Sequence, residues 1–103
     1  MSNTGQRAEA GKRTLHLVLK REYFEAIRDG RKLEEYRLYE AHWRKRIEGR
    51  EYDQIVLTLG YPARDDAQRR MVLPWRGYTV KTITHEHFGP EPVEVFAISV
   101  SRE

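Results

Sequence analysis

The stretch Gly30-Arg31-Lys32-Leu33-Glu34-Glu35-Tyr36-Arg37 decides how this chain is read. It has the form G-x-K-x-x-E-x-R and lies where one side-chain periodicity gives way to another. Before it, over Glu22 to Asp29, Tyr23, Phe24 and Ile27 fall at helical spacing, and Gly30 supplies a C-terminal stop. Within it the side chains begin to alternate, as in a strand over 32–39. Leu33, Glu35, Arg37 and Tyr39 point one way, and Lys32, Glu34, Tyr36 and Leu38 the other. A random chain of this length would carry the four fixed types about once in a thousand cases. Charged side chains are seldom fully buried unless paired, so the Glu35/Arg37 face has two readings. One is a structural ion pair beside a solvated Lys32. The other is a cleft in which Lys32, Glu35 and Arg37 meet a phosphate, a base edge or a reacting amide.

On the N-terminal side of the octet, Thr14 to Lys20 alternate with Leu15, Leu17 and Leu19 on one face, which predicts a strand with one buried side. On the C-terminal side, residues 40–48 return to helical spacing, with Trp43 and Ile47 as an i,i+4 pair and Gly49 as the stop. Gln54 to Leu59 read as a buried strand, broken by Gly60-Tyr61-Pro62. Residues 63–70 form a polar loop. Strand segments follow over 71–73 and 77–84, interrupted by Pro74-Trp75-Arg76, where proline argues for an edge, bend or bulge. Gly89-Pro90-Glu91-Pro92 is a turn, and Val93 to Val100 a last strand. Five or six short strands with two early helices predict an α+β chain: a small, twisted or closed sheet carrying two short helices. A doubly wound parallel sheet fits poorly, because helices do not alternate with the later strands.

The bulk properties bound the function. A chain of 103 residues forms one domain with a modest core. Nineteen Lys and Arg are interleaved with sixteen Asp and Glu for a net charge of +3, so an anion site would be local and not a field over the whole surface. There is no cysteine, which excludes a disulfide framework and cysteine-ligated zinc and fits a reducing cytoplasm. No apolar run approaches the roughly 18 residues of a membrane span. Residues 1–13 are small and polar, lack a signal-peptide core and read as a disordered tail, leaving 14–103 as the domain. The expectation is a cytoplasmic protein without a membrane partner, and the sequence specifies no oligomeric state.

The octet, placed after a helix and entering the second strand, resembles the motif of the ASCH domain family within the PUA-like superfamily. The resemblance covers about residues 14–100, with strand, helix, octet, the strand ending at Leu59 and the closing strand from Val93 in the family's order. It implies a small β-barrel of five to six strands with helices over its openings and a motif cleft on one side. It also implies binding of RNA or a modified nucleotide, with Gly30, Lys32, Glu35 and Arg37 as the motif positions. One branch of the family resembles an amidohydrolase of acetylated cytidine, with threonine where this chain has Glu35. A carboxylate does not replace a hydroxyl nucleophile, but it can act as a base on water. A ribonuclease at the same cleft is a further alternative, with Glu35 as base and Lys32 and Arg37 stabilising phosphorane charge. The sequence leaves binding and catalysis both open, and no cofactor is implied.

Other residues carry weaker signals. Arg44, Lys45, Arg46 and Arg50 with Trp43 suit a phosphate-tracking stripe or an ordinary solvated helix face. Tyr61, Trp75 and Arg76 suit stacking on an unpaired base or, for the aromatics, packing in the core. His85 and His87 form an H-x-H pair with no third ligand apparent nearby, which reads as a solvated pair and not a metal site.

Overall fold

A computed structural model describes residues 11–102 of the chain. The elements run β1 (Thr14–Leu19), α1 (Arg21–Arg28), β2 (Glu34–Leu38), α2 (Ala41–Ile47), β3 (Gln54–Leu59), β4 (Arg70–Pro74), β5 (Tyr78–Ile83) and β6 (Val93–Ser99). Short 3-10 turns at Ala67–Arg69 and Glu86–Phe88 precede β4 and β6. The strands form two three-stranded sheets, β1-β3-β4 and β2-β6-β5. Only β1 and β3 are parallel, joined by the long crossover through α1, β2 and α2; the other three pairs are antiparallel. The class is therefore α+β, as expected, but among the described residues no strand pairing closes the two sheets into the expected barrel. β1 and β2 are each paired on one side only, leaving an open seam.

The core lies between the sheets and under the helices. β1 alternates as its sequence demands, with Leu15, Leu17 and Leu19 buried and His16 and Val18 exposed. β3 and β6 are the central strands, and both are buried across consecutive residues, Gln54–Leu57 and Val95–Ile98. Phe24 and Ile27 of α1 and Ile47 of α2 complete the cluster with Phe96 and Ile98. Each such side chain contributes roughly 1.5–3 kcal/mol by leaving water. β5 is an outer strand with Thr79 to Thr82 exposed. Pro74 ends the outer strand β4, where a missing N–H costs no ladder bond.

Two details position the octet. The end of α1 is a Schellman motif: Arg31 N donates to Ala26 O at 2.8 Å and Gly30 N to Ile27 O at 3.1 Å. Gly30 sits at φ 81°, a left-handed conformation that favours glycine. Lys32 N also reaches Ala26 O at 3.1 Å, so the backbone at Lys32 is fixed to the helix that precedes it. At the far end, Val100 N donates to Leu33 O at 2.9 Å and ties the entry of β2 to the last strand.

The tail expected over residues 1–13 lies, as far as residue 10, outside the described residues. Arg13 is anchored: its backbone N–H and guanidinium both donate to the Asp53 carboxylate, at 2.9 and 3.4 Å. Among the described residues no helix is long and apolar enough to cross a membrane.

Candidate functional site

Strand parity places Glu35 and Arg37 side by side, and they form the ion pair at the centre of the site. Arg37 Nη2 lies 2.9 Å from Glu35 Oε2 and also donates to the Val18 carbonyl of β1 at 2.9 Å. Glu35 is buried, with 6% of its surface exposed. Its other oxygen, Oε1, lies 3.6 Å from Lys32 Nζ. Lys32 is therefore not a solvated neighbour of a structural pair; its side chain is only 16% exposed. One carboxylate thus holds two cations in a sheltered place, and the three groups sum to +1. Arg37 Nε is buried without a hydrogen-bond partner, so the guanidinium has donor capacity left over.

Aromatic rings frame these charges. Lys32 Nζ sits between two of them, 5.2 Å from the Tyr23 centroid and 4.6 Å from that of Tyr36. The Arg37 guanidinium lies 5.0 Å over the Trp43 ring. Such contacts hold a desolvated cation without consuming its hydrogen bonds. Together they line a cleft of about 330 Å³ at the open seam, walled by Val18, Leu19 and Lys20 on one side and by Glu35 to Leu38 on the other. Lys32, Tyr23, Trp43, His85, His87 and Phe88 complete the wall. This volume is near the lower end of small-molecule sites. Burial pushes the Tyr23 phenol up from its ordinary value, with the Glu22, Glu86 and Glu35 charges adding to it. Burial, then the Glu34 charge and hydrogen bond, does the same at Tyr36. Both rings are neutral phenols at physiological pH, and the Tyr36 hydroxyl already donates to Glu34 Oε1 at 3.2 Å.

Lys32, Glu35 and Arg37 converge in the cleft, whereas Gly30 does not line it and acts through the backbone turn described above. Leu33, expected on the Glu35 face, is 57% exposed, because the regular strand starts one residue later. The remaining candidates lie outside the cleft lining. Arg44 is paired to Glu48 at 2.9 Å and stacked on Tyr39; Arg46 donates to His42 O and Arg50 to Lys45 O. Lys45 is exposed on the same short helix. Tyr61 is 92% exposed on its loop and Arg76 is exposed as well. Trp75 packs on the core between Tyr52 and Tyr78, at centroid distances of 5.2 and 6.5 Å.

Five contributors escaped the sequence reading. Tyr23 was expected only as a helix-face apolar residue and Tyr36 only as the other face of a strand. Trp43 was read as part of a basic stripe or as a core residue; it packs on the core and also carries Arg37, a contact the sequence did not suggest. His85 and His87 reach the cleft because the 3-10 turn at Glu86–Phe88 folds them against Tyr23, at 6.0 and 5.8 Å between centroids. The sequence signal for that turn is slight: an H-x-H followed by Phe88 and Gly89. Among the described residues no group of three or more His, Cys, Asp or Glu is gathered as a metal would need. Comparison of the chain with family models, with curated proteins and with solved structures finds no match.

Proposed function

We propose that the chain is an ASCH-type, PUA-like module that binds RNA or a nucleotide, taking one unpaired base into the cleft of Lys32, Glu35 and Arg37. On this reading the two sheets correspond to a PUA-like barrel left open along the seam between β1 and β2. The observation that carries the proposal is the combination, in one cleft of about 330 Å³, of a buried acceptor, two cations and flanking aromatic faces. Glu35 accepts from an exocyclic amine, Arg37 forks onto a base edge or phosphate, and Tyr23, Tyr36 or Trp43 stacks on the base. A duplex does not fit this frame, since its bases are already stacked and the cleft is sized for one of them. A cytoplasmic site of action accords with the cysteine-free sequence.

Hydrolysis at the same cleft is the second reading, favoured by the ammonium of Lys32 beside the Glu35 carboxylate at 3.6 Å. It is the weaker one, because a carboxylate held by a cation at each oxygen suits a fixed hydrogen-bond acceptor better than a proton carrier. The test is titration of short single-stranded RNAs and of nucleosides, acetylated cytidine included, into the wild type and the Lys32→Ala and Arg37→Ala variants. Binding weakened about tenfold or more by either variant, with no turnover, supports the binding reading. Turnover abolished by Lys32→Ala establishes the hydrolase. Affinity indifferent to both variants defeats the shared cleft.

A further inference from the structure

The wall of the cleft carries a second cluster besides Lys32, Glu35 and Arg37. Lys20, at the junction of β1 and α1, places Nζ 3.5 Å from His87 Nδ1, and both side chains are exposed. Neither forms an ion pair with a carboxylate among the described residues. Close by, the His87 backbone N–H donates to His85 Nδ1 at 3.1 Å, so the neutral His85 ring carries its proton on Nε2. His85 is held edge-on to Tyr23 and Tyr36, at 6.0 and 6.1 Å between centroids. Tyr23 is the shared wall: one contact of its ring is with Lys32 of the base pocket, another with His87 at the mouth.

An ammonium and an imidazole at 3.5 Å gain nothing from each other beyond one weak hydrogen bond, and they repel once the imidazole is protonated. An anion between them removes that repulsion and collects a charge-assisted bond from each. The two groups are held by different elements, Lys20 at the start of α1 and His87 on the turn before β6, so an anion there would also bridge the two sides of the mouth. We propose that Lys20 and His87, beside the Tyr23 ring, form a phosphate subsite at the cleft mouth, so that the preferred occupant is a nucleotide and not a free nucleoside. This rests on the base-binding reading of the inner cleft and specifies what is attached to the base. The recognised group is a phosphate on the sugar of the pocketed base, supplied either by a free nucleoside monophosphate or by the backbone of an RNA strand.

The experiment is a titration, followed by chemical shifts of the labelled protein, with three ligand sets: the four nucleosides, their 5′- and 3′-monophosphates, and dinucleoside monophosphates. It is run on the wild type, His87→Gln, Lys20→Gln and Arg37→Ala. The expected result is that a phosphate-bearing ligand binds roughly tenfold tighter than its nucleoside. His87→Gln and Lys20→Gln are expected to erase that advantage by weakening nucleotides far more than nucleosides, and Arg37→Ala to weaken both classes. Preference for monophosphates over dinucleotides assigns a free nucleotide; the converse assigns an RNA strand. Equal affinity for nucleosides and nucleotides overturns the subsite while leaving the base pocket standing. A phosphate advantage that survives both mouth variants overturns it as well, by locating the phosphate elsewhere. Failure of every ligand to bind overturns the base pocket and the subsite together.

Discussion

Glu35 is the residue on which the site turns. It is the only carboxylate in ion-pair contact with Lys32 and Arg37 among the described residues, and it is more buried than either. Removing its charge leaves two sheltered cations facing each other, which costs more than the loss of a surface pair. Glu35→Gln should therefore destabilise the fold by about 3 kcal/mol, toward the low end for buried pairs because the cations keep some solvent contact. Urea unfolding measures this; a change within about 0.5 kcal/mol would show that solvent, and not Glu35, balances the two cations. Arg37→Lys retains the charge but loses the planar fork and the stacking on Trp43, so it should impair binding nearly as much as Arg37→Ala. The central pair was legible in the sequence, since an i,i+2 spacing on a strand fixes a shared face. The approach of Lys32 to the same cleft was one of two readings the sequence left open. Lys32 precedes the strand, and the Schellman turn, not strand parity, sets where its side chain goes.

At the scale of elements, the turn between α1 and β2 does the positioning. Gly30→Ala forces a Cβ into a left-handed conformation and should cost about 1–2 kcal/mol, with displaced chemical shifts at Lys32. There is open space around the added Cβ, so the cost is conformational and Gly30→Asn should recover part of it. The start of β1 is pinned to β3 differently, through Asp53. The Arg13 backbone N–H, and then its guanidinium, hold the Asp53 carboxyl below the usual carboxylate range. A lowered native value means that the unfolded chain binds the proton more readily. The associated stability is complete above the unfolded value, about pH 4, and fades as pH falls through the lower native one. Asp53→Asn should accordingly lower stability at pH 7, and the gap to wild type should narrow below about pH 4. A gap independent of pH, measured by thermal unfolding across that range, would contradict the role of the charge.

Element order and most boundaries could be read from periodicity, because β1, β3, α1 and β6 each show their buried positions locally. The two-sheet arrangement could not. Whether six strands close depends on which edges pair, and β1 and β2 leave theirs unpaired along the cleft. That open seam also defeats the simple two-faced picture of β2. Both its Glu35/Arg37 face and Tyr36 border the same cleft, since an outer strand has a free edge as well as two faces. The histidines at 85 and 87 were read only as a solvated pair, and their place in the cleft was hidden for a related reason: their partners lie on α1 and β2, more than forty residues away in sequence.

Over the whole molecule, charge is distributed so that the cleft, and not a broad face, should do the binding. The α2 arginines are engaged with Glu48, Tyr39 and backbone carbonyls, and the net charge is only +3. Single-strand binding should therefore show a shallow salt dependence. A slope of log affinity against log salt of about −0.7 to −1.5 corresponds to one or two phosphates. A slope steeper than about −2.5 would mean that Arg44, Lys45, Arg46 and Arg50 track the strand after all. The most direct test of the central claim is to map the chemical-shift changes that a short unpaired RNA produces across the labelled protein. The account predicts that the changes concentrate at Tyr23, Lys32, Tyr36 and Arg37 and at the Trp43 indole N–H, and that Arg37→Ala removes them. Changes confined to the Tyr61 loop, to Arg76 or to the exposed face of α2, with the cleft silent, would contradict it.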